Sequence, residues 1–441
     1  MRRLVFASIR LVSAVDRWAR ERLTPAGWVA LAAGGTAAVA GVDTHQTVTY
    51  RAFAFLACLL LVAWLASLAF RARVRVSREL PQYVTAGEPF SYRVDVVNTG
   101  ARPVAGATLV ERLADPRPGY REWLATREPG EERRNWFDRK AGYFRWRWYI
   151  ERQLPEAPAE VPLPPLPPGR SESLKLTLLP RRRGRLSLAG FTLGRVDPLG
   201  LVKGLARVTA PAKVIALPKR YRLPPLALPG KRKFQQGGVT LAASVGEAEE
   251  FLALRDYRPG DPLQRVHWKS FARVGVPVVK EYQDEFFERH ALVLDTARTQ
   301  GEDAVFEDAV ALAASFVYTI DTLECLLDLL FVGGEVRSYT AGRGQLHASH
   351  MLEILAGIAP SRADEFDALA RAVLAQRGAL SSVILVLVQW DDARRKLLEA
   401  LSGSGMEVRA LLVCDHKPAE LPPRVLALHP GRIEAGLARL S

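Results

Sequence analysis

A multidomain chain is what this sequence predicts: an N-terminal helical hairpin, an all-β sandwich, and a C-terminal α/β domain built on a doubly wound sheet. Three observations predict it. Two stretches near the N-terminus run for about twenty residues each without charge, the length of a bilayer span. Short segments between Arg71 and Pro218 alternate apolar and polar residues with period two. Beyond Gly246, apolar strands alternate with helical patterns, which argues for a mostly parallel sheet.

Residues 1–22 form a basic N-terminus with Arg2, Arg3, Arg10, Arg17, Arg20 and Arg22. Leu23 to Val42 and Ala52 to Phe70 are the two expected transmembrane helices, within residues 23–70, and the loop between them is short and nearly neutral. Arg71, Arg73, Arg75 and Arg78 follow at once. Arginine on both flanks places both ends on the cytoplasmic side. The expectation is a multi-pass protein of the inner (cytoplasmic) membrane with its soluble domains in the cytoplasm. The competing reading is a signal peptide, since Ala38-Val39-Ala40 resembles a cleavage site.

Residues 71–218 read as the sandwich. Val74–Val76, Phe90–Val96, Thr108–Glu111, Leu174–Leu178, Arg185–Ala189 and Val214–Leu217 alternate, with turns at Ala86-Gly87-Glu88 and Asn98-Thr99-Gly100. Regular short strands of this kind make an immunoglobulin-like sandwich. An aromatic and basic insertion interrupts it near 115–168. Its run Phe144-Arg145-Trp146-Arg147-Trp148 reads as a strand with an aromatic inner face, or as a contact with lipid headgroups or nucleic acid. Residues 219–245 are a polar linker. From 246 to 441, strands are expected at 291–295, 326–332, 336–340, 382–389 and 408–414. Helices are expected at 303–320, 348–358, 364–376 and 392–401.

The chain has 441 residues, a net charge of +14 and a pI of about 9.9, a balance that suits an anionic partner; much of the arginine flanks the apolar stretches, which favours membrane lipid over nucleic acid. Three cysteines stand isolated and show neither a disulfide framework nor metal spacing. No phosphate-binding loop, dinucleotide fingerprint, metalloprotease helix or nucleophile elbow is present.

The densest run of demanding residues is Gly246 to Thr296. Pro259-Gly260 reads as a tight turn, and Asp261-Pro262-Leu263-Gln264 as a capped helix start running to Arg273, with Gly275 as its stop. Val276 to Tyr282 reads as a strand. Composition is compatible with a packing knot, with Trp268 buried and Arg255 and Arg273 paired to carboxylates such as Asp261 or Glu281. The alternatives to that knot are an exposed docking surface and a site using Asp261 and His267.

The run Arg255, Tyr257, Pro259, Gly260, Asp261, Arg265, Trp268, Arg273 resembles the signature of the DUF58 family, with Phe271 where that family usually carries serine. Arg182-Arg183-Gly184 and Asp197-Pro198-Leu199-Gly200-Leu201 also resemble the segment that precedes the signature in that family. The resemblance implies a C-terminal domain like that of von Willebrand factor A, and a partner of the MoxR-type AAA+ ATPases in assemblies for envelope biogenesis or protein maturation. Asp295-Thr296-Ala297-Arg298-Thr299 is similar to the D-x-S-x-S metal motif of von Willebrand A domains, in which hard oxygen ligands hold Mg²⁺. Asp295 matches, Thr299 replaces the second serine, Ala297 cannot replace the first, Asp391 or Asp392 supplies the later carboxylate, and Thr340 is the candidate for the remaining hydroxyl. Read without a metal, Asp295 caps a strand–helix turn. The expectation is therefore a non-enzymatic adaptor without an obligatory cofactor or small-molecule substrate. The alternatives are an enzyme acting on an anionic substrate and a lipid- or nucleic-acid-binding module.

Overall fold

The computed structural model describes residues 2–40, 47–126, 128, 130–153, 156, 159–224, 249–261, 263, 266–284, 288–298, 303–320, 325–342, 345–362 and 365–438. Two compact units, Met1–Lys219 and Arg220–Ser441, divide the chain.

In the first unit, α1 (Arg2–Arg22), α2 (Pro25–Ala40) and α3 (Thr47–Leu68) precede the strands. Thr24 starts α2: its hydroxyl accepts from the Gly27 amide at 3.0 Å, and Pro25 follows at the first helical position, where no N–H is needed. Gly34 meets Leu56, and Ala30 shares a cluster with Leu59, Leu60 and Ala63, so α2 and α3 run antiparallel. One helix among the described residues, Val48–Leu68, is long and apolar enough to cross a membrane. This corrects the expected pair of spans. The Thr24 cap fixes the start of α2, which has 16 residues, about 24 Å at the helical rise against a hydrocarbon layer of about 30 Å. Residues 41–42, counted in the expected first span, lie outside the described residues.

The base of the hairpin is bolted to a turn of the next domain. The Asp197 carboxylate accepts from the amides of Leu199, Leu201 and Val202 at 2.6–2.8 Å. This locks the Asp197–Leu201 turn, whose Gly200 and Leu201 carbonyls take the Thr24 hydroxyl at 2.6 and 3.1 Å. A side chain at Gly27 would meet the Leu201 carbonyl oxygen at 2.1 Å, so only glycine fits that approach.

The strands are β1 (Val74–Glu79), β2 (Tyr83–Thr85), β3 (Phe90–Asn98), β4 (Ala107–Leu113), β5 (Val161–Leu163), β6 (Ser171–Leu178), β7 (Gly184–Val196) and β8 (Lys203–Leu217). Two sheets result, in the orders β1-β3-β6 and β2-β8-β7-β4-β5. One core lies between them, with Val94, Val96 and Leu176 from the first and Leu109, Leu193 and Val214 from the second. Inside it the Arg78 guanidinium pairs with Glu111 and stacks 4.8 Å from the Phe191 centroid, while the Tyr92 hydroxyl donates to Glu111 at 2.7 Å. Burial pushes both the Glu111 carboxyl and the Tyr92 phenol up.

The insertion overturns its expected strand. α4 (Tyr120–Ala125), α5 (Trp136–Ala141) and α6 (Tyr143–Gln153) lie between β4 and β5. Phe144, Trp146 and Trp148 alternate in sequence, but the stronger pattern has a spacing of four. Trp146 and Ile150 pack with Trp123 and Phe6 of α1, and Arg147 reaches Glu151 at 2.6 Å on the outer face.

In the second unit, Tyr221 seats the entering chain. Its amide donates to the Ser315 hydroxyl at 2.8 Å and its phenol to Asp308 at 2.7 Å. The bulk of the expected linker, residues 225–245, lies outside the described residues. The elements are then β9 (Glu249–Asp256), α7 (Trp268–Val274), β10 (Val278–Asp284), β11 (Glu288–Leu294), β12 (Ala297–Arg298), α8 (Asp303–Thr319), β13 (Cys325–Val332) and β14 (Val336–Ala341). After them come α9 (Gln345–Gly357), β15 (Ser361–Arg362), α10 (Phe366–Gln376), β16 (Ser382–Leu387), α11 (Asp392–Gly403), β17 (Glu407–Val413), β18 (Val425–Leu428) and α12 (Ile433–Leu437). The main sheet has the order β14-β13-β11-β16-β17-β18, parallel except at the β14 edge. Its central strands are continuous apolar runs because both faces are covered. Phe366, Leu369, Leu397 and Leu401 of α10 and α11 close one face. Leu292, Leu294, Ile384, Val386 and Leu411 alternate with that set and are equally buried, and α8 packs against β11, β16 and β17.

Candidate functional site

Two places gather the chemistry-bearing residues of the second unit. The first is the turn and short helix between β9 and β10, which pair antiparallel as a two-stranded sheet. Gly260 supplies the turn at φ +112°, a conformation that side chains resist. The Asp261 carboxylate then closes the turn on itself. It accepts from the Arg258 amide at 2.8 Å and takes both Arg255 Nη atoms at 2.7 Å, one on each oxygen. A two-pronged charge-assisted pair of this kind is strong and directional. The carboxylate thus serves its own turn, and α7 begins at Trp268; residues 262, 264 and 265, on which the expected helix start falls, lie outside the described residues. Gly275 ends α7 at φ +76°, as expected. Tyr257 and Pro259 hold the same loop, with the Tyr257 amide donating to the Pro277 carbonyl at 3.0 Å. Arg265 lies outside the described residues.

The Arg255 fork, followed by the Arg258 amide, holds the Asp261 carboxyl at about 2. A lowered folded pKa means that the pairing contributes fully above the unfolded value of 3.8 and is lost as pH falls through about 2. In a carboxyl-carbon NMR titration, Asp261 is expected to titrate near about 2. Arg255→Leu is expected to return it toward about 4, and an unchanged midpoint in that variant would refute the assignment to Arg255.

The packing knot is only half present. Arg255 is paired, but Trp268 is 60% exposed and Arg273 is exposed as well. The Trp268 and Phe271 rings meet edge to face, with centroids 6.0 Å apart. With Leu263, Val274 and Val276, also exposed, they put an apolar surface on one hairpin. Phe271, the departure from the family pattern, thus becomes half of an exposed aromatic pair. The His267 Nδ1 lies 2.6 Å from the Ser270 hydroxyl, a pair the sequence reading did not anticipate, since a spacing of three on a short helix gave the only signal. Asp261, engaged by Arg255, makes no hydrogen bond to that imidazole among the described residues.

The second place is the carboxyl end of β11, where parallel sheets of this kind bind ligands. Asp295 is fully buried. Arg394, from the first turn of α11, reaches it with Nε on Oδ2 and Nη2 on Oδ1, each at 3.0 Å. The same Nη2 donates to the Ala297 carbonyl at 3.0 Å, and Nη1 donates to Asp391 Oδ2 at 2.6 Å. The guanidinium stacks 3.8 Å over Phe366. The other oxygen of Asp391 caps α11 by accepting the Arg394 amide at 3.0 Å.

One arginine, Arg394, thus contacts both Asp295 and Asp391. These residues do not fit a divalent cation at Asp295: both of its oxygens are engaged by the guanidinium, Ala297 offers no side-chain donor, and Asp391 is spent on the same guanidinium and on the cap. Thr299 lies outside the described residues. Thr340, a conceivable hydroxyl donor, instead donates to the buried Asp328 at 2.6 Å. Burial pushes the Asp295 carboxyl up, while Arg394 and the Ala297 amide oppose the rise. Arg394 was missed, although a buried aspartate demands a counter-charge and Asp391 three residues earlier marks the helix turn that delivers it.

Residues 253–428 match the family described as protein of unknown function DUF58. The chain carries a DUF58 domain. Both places just described lie within it. The uncharacterized protein YeaD of Bacillus subtilis is 23% identical over 189 residues, which take in 42% of this chain and 46% of YeaD, so the chain spans less than half of that relative. Among solved structures, a CARDB domain from Pyrococcus furiosus matches at 12% identity, covering 32% of this chain and 93% of that one with a TM-score of 0.17. A PapD-like domain of human CEP192 matches at 11% identity, covering 33% and 87%, with a TM-score of 0.16.

Proposed function

We propose that this protein is a membrane-tethered recognition module whose DUF58 domain grips another protein rather than transforming a molecule. The observation that carries the reading is the exposed Trp268–Phe271 face. Monomeric proteins rarely leave clustered aromatic and aliphatic side chains in water without using them for binding, and tryptophan is a favoured anchor at interfaces. The Arg255–Asp261 fork gives that face a rigid base, so little order has to be imposed on binding.

The C-terminal unit is read as von Willebrand A-like from its sheet order and from Asp295 at the end of β11. Its partner is read as a MoxR-type AAA+ ATPase from the DUF58 resemblance, within an envelope or protein-maturation assembly. The Arg394 guanidinium stands where the resemblance calls for a cation, which supports cofactor-free docking. α3 is read as the span of the tether, and α2 packs antiparallel beside it, so the chain before Pro25 and after Leu68 meets at one end. The arginines there support a reading in which that end, with the soluble part of the chain, is cytoplasmic.

Co-purification from native membranes tests the reading. The full chain is expected to retain an AAA+ ATPase in the presence of a chelator, and Arg273→Ala is expected to weaken the retention. Recovery without any ATPase, or substrate turnover by the purified chain alone, would refute it.

A further inference from the structure

An apolar side of α1 stays exposed among the described residues. Leu4, Leu11, Val15 and Trp18 recur at helical spacing on one side, and are 73%, 66%, 56% and 49% exposed. The opposite side is the one the protein holds. Phe6 and Ile9 are buried with Trp123 and Trp146, and Arg17 pairs with Asp115 at 3.1 Å. This reverses the arrangement of a helix lying on a soluble domain, where the apolar stripe turns inward.

The stripe runs on into a groove of about 600 Å³. Leu11, Val15 and Trp18 form one wall, and Trp28, Leu31 and Trp64 of α2 and α3 form the other. These hairpin positions lie toward Pro25 and Leu68, the end at which α1 and the sandwich attach. Arg22 closes the line, its guanidinium 5.7 Å over the Trp18 ring, and Arg71, Arg73 and Arg75 are exposed just beyond α3.

We propose that α1 lies in the plane of the membrane at headgroup depth and that the groove seats an acyl chain of an anionic phospholipid, whose headgroup meets Arg22. The inference rests on the reading of α3 as a span. Lipid is the occupant that the surface itself selects. The stripe is continuous with the lipid-facing side of the candidate span, tryptophans cluster at headgroup depth as they do in interfacial belts, and the cationic rim complements an anionic headgroup.

The test uses the full chain in phosphatidylcholine vesicles doped with phospholipid brominated near the glycerol end of its acyl chains, a contact quencher. One variant carries Val15→Cys with Cys58→Ser, Cys325→Ser and Cys414→Ser, and is labelled with a small fluorophore. A second keeps the native Cys58, exposed at the middle of α3, with Cys325→Ser and Cys414→Ser, and reports on the span in vesicles whose lipid is brominated near the methyl end of its acyl chains. Both labels are expected to lose emission. The Val15→Cys label is expected to lose more with brominated phosphatidylglycerol than with brominated phosphatidylcholine at equal fraction. Quenching at Cys58 without quenching at Val15→Cys would overturn the inference, assign the stripe to a protein surface and leave the tether standing. Absence of quenching at both would overturn the inference and the tether together. Equal quenching by the two lipids would overturn the anionic headgroup.

Discussion

Arg394→Ala is expected to destabilise the DUF58 domain by about 3–5 kcal/mol, the usual cost of leaving one member of a buried ion pair uncompensated. Asp295 has no exposed surface, and Arg394 occupies both of its oxygens while also tying down Ala297 and Asp391. Removing the guanidinium strands a fully buried carboxylate and opens a void beside Phe366. Against a typical domain stability of about 5–15 kcal/mol, that loss is a large fraction. For a unit of this size it corresponds to a fall of about 10 °C in the unfolding midpoint. The double variant Asp295→Leu/Arg394→Met is expected to recover most of the loss, because an apolar pair of similar volume carries no desolvation penalty. Differential scanning calorimetry of the full chain, with hydrogen exchange reporting on β11 and β16, makes the measurement. A near-silent Arg394→Ala would show that the pair does not hold the strand end. Mg²⁺ failing to raise the midpoint of the parent chain would agree with the guanidinium filling the cation's place, whereas a magnesium-dependent rise would restore the metal reading.

The parts that were legible in the sequence share a physical reason. Ala291–Leu294 and Val383–Leu387 are continuous apolar runs because helices cover both faces, and no other soluble setting tolerates them. Gly275 at a helix stop and Pro259-Gly260 at a turn are backbone demands that few other residues meet. The errors also share a reason. Phe144-Arg145-Trp146-Arg147-Trp148 satisfies period two and, through Trp146–Ile150 and Arg147–Glu151, also a spacing of four; packing of Phe6 from α1 decided between them. The partner of Asp295 lies 99 residues away, so the need for a counter-charge was readable and its source was not. Exposure of Trp268 was equally hidden. The same residues make a knot or a surface, and the outcome depends on what covers the two-stranded β9–β10 sheet: among the described residues, the Trp268 ring stays exposed.

That exposure leads to the second large effect. Trp268→Ala is expected to weaken partner binding by about 2 kcal/mol or more, the threshold of an interface hot spot, or roughly 30-fold in Kd. Phe271→Ala is expected to cost less on its own, because Phe271 presents a smaller exposed surface. The two losses are not expected to add, since the rings touch edge to face at 6.0 Å and either truncation releases the other. Stability should barely move, within about 0.5 kcal/mol for a solvent-facing site. That separation is the diagnostic. An Asp261→Ala variant, by contrast, removes the Arg255 fork and the bond from the Arg258 amide, so it should weaken binding by loosening the base of the hairpin, with a visible change in hydrogen exchange at β9 and β10. Titration of the co-purified partner against the full chain in detergent distinguishes the cases. If Trp268→Ala binds as tightly as the parent, the exposed aromatic pair is not the docking surface. If Trp268→Ala unfolds the domain, the ring is a core residue in solution and the packing-knot reading returns.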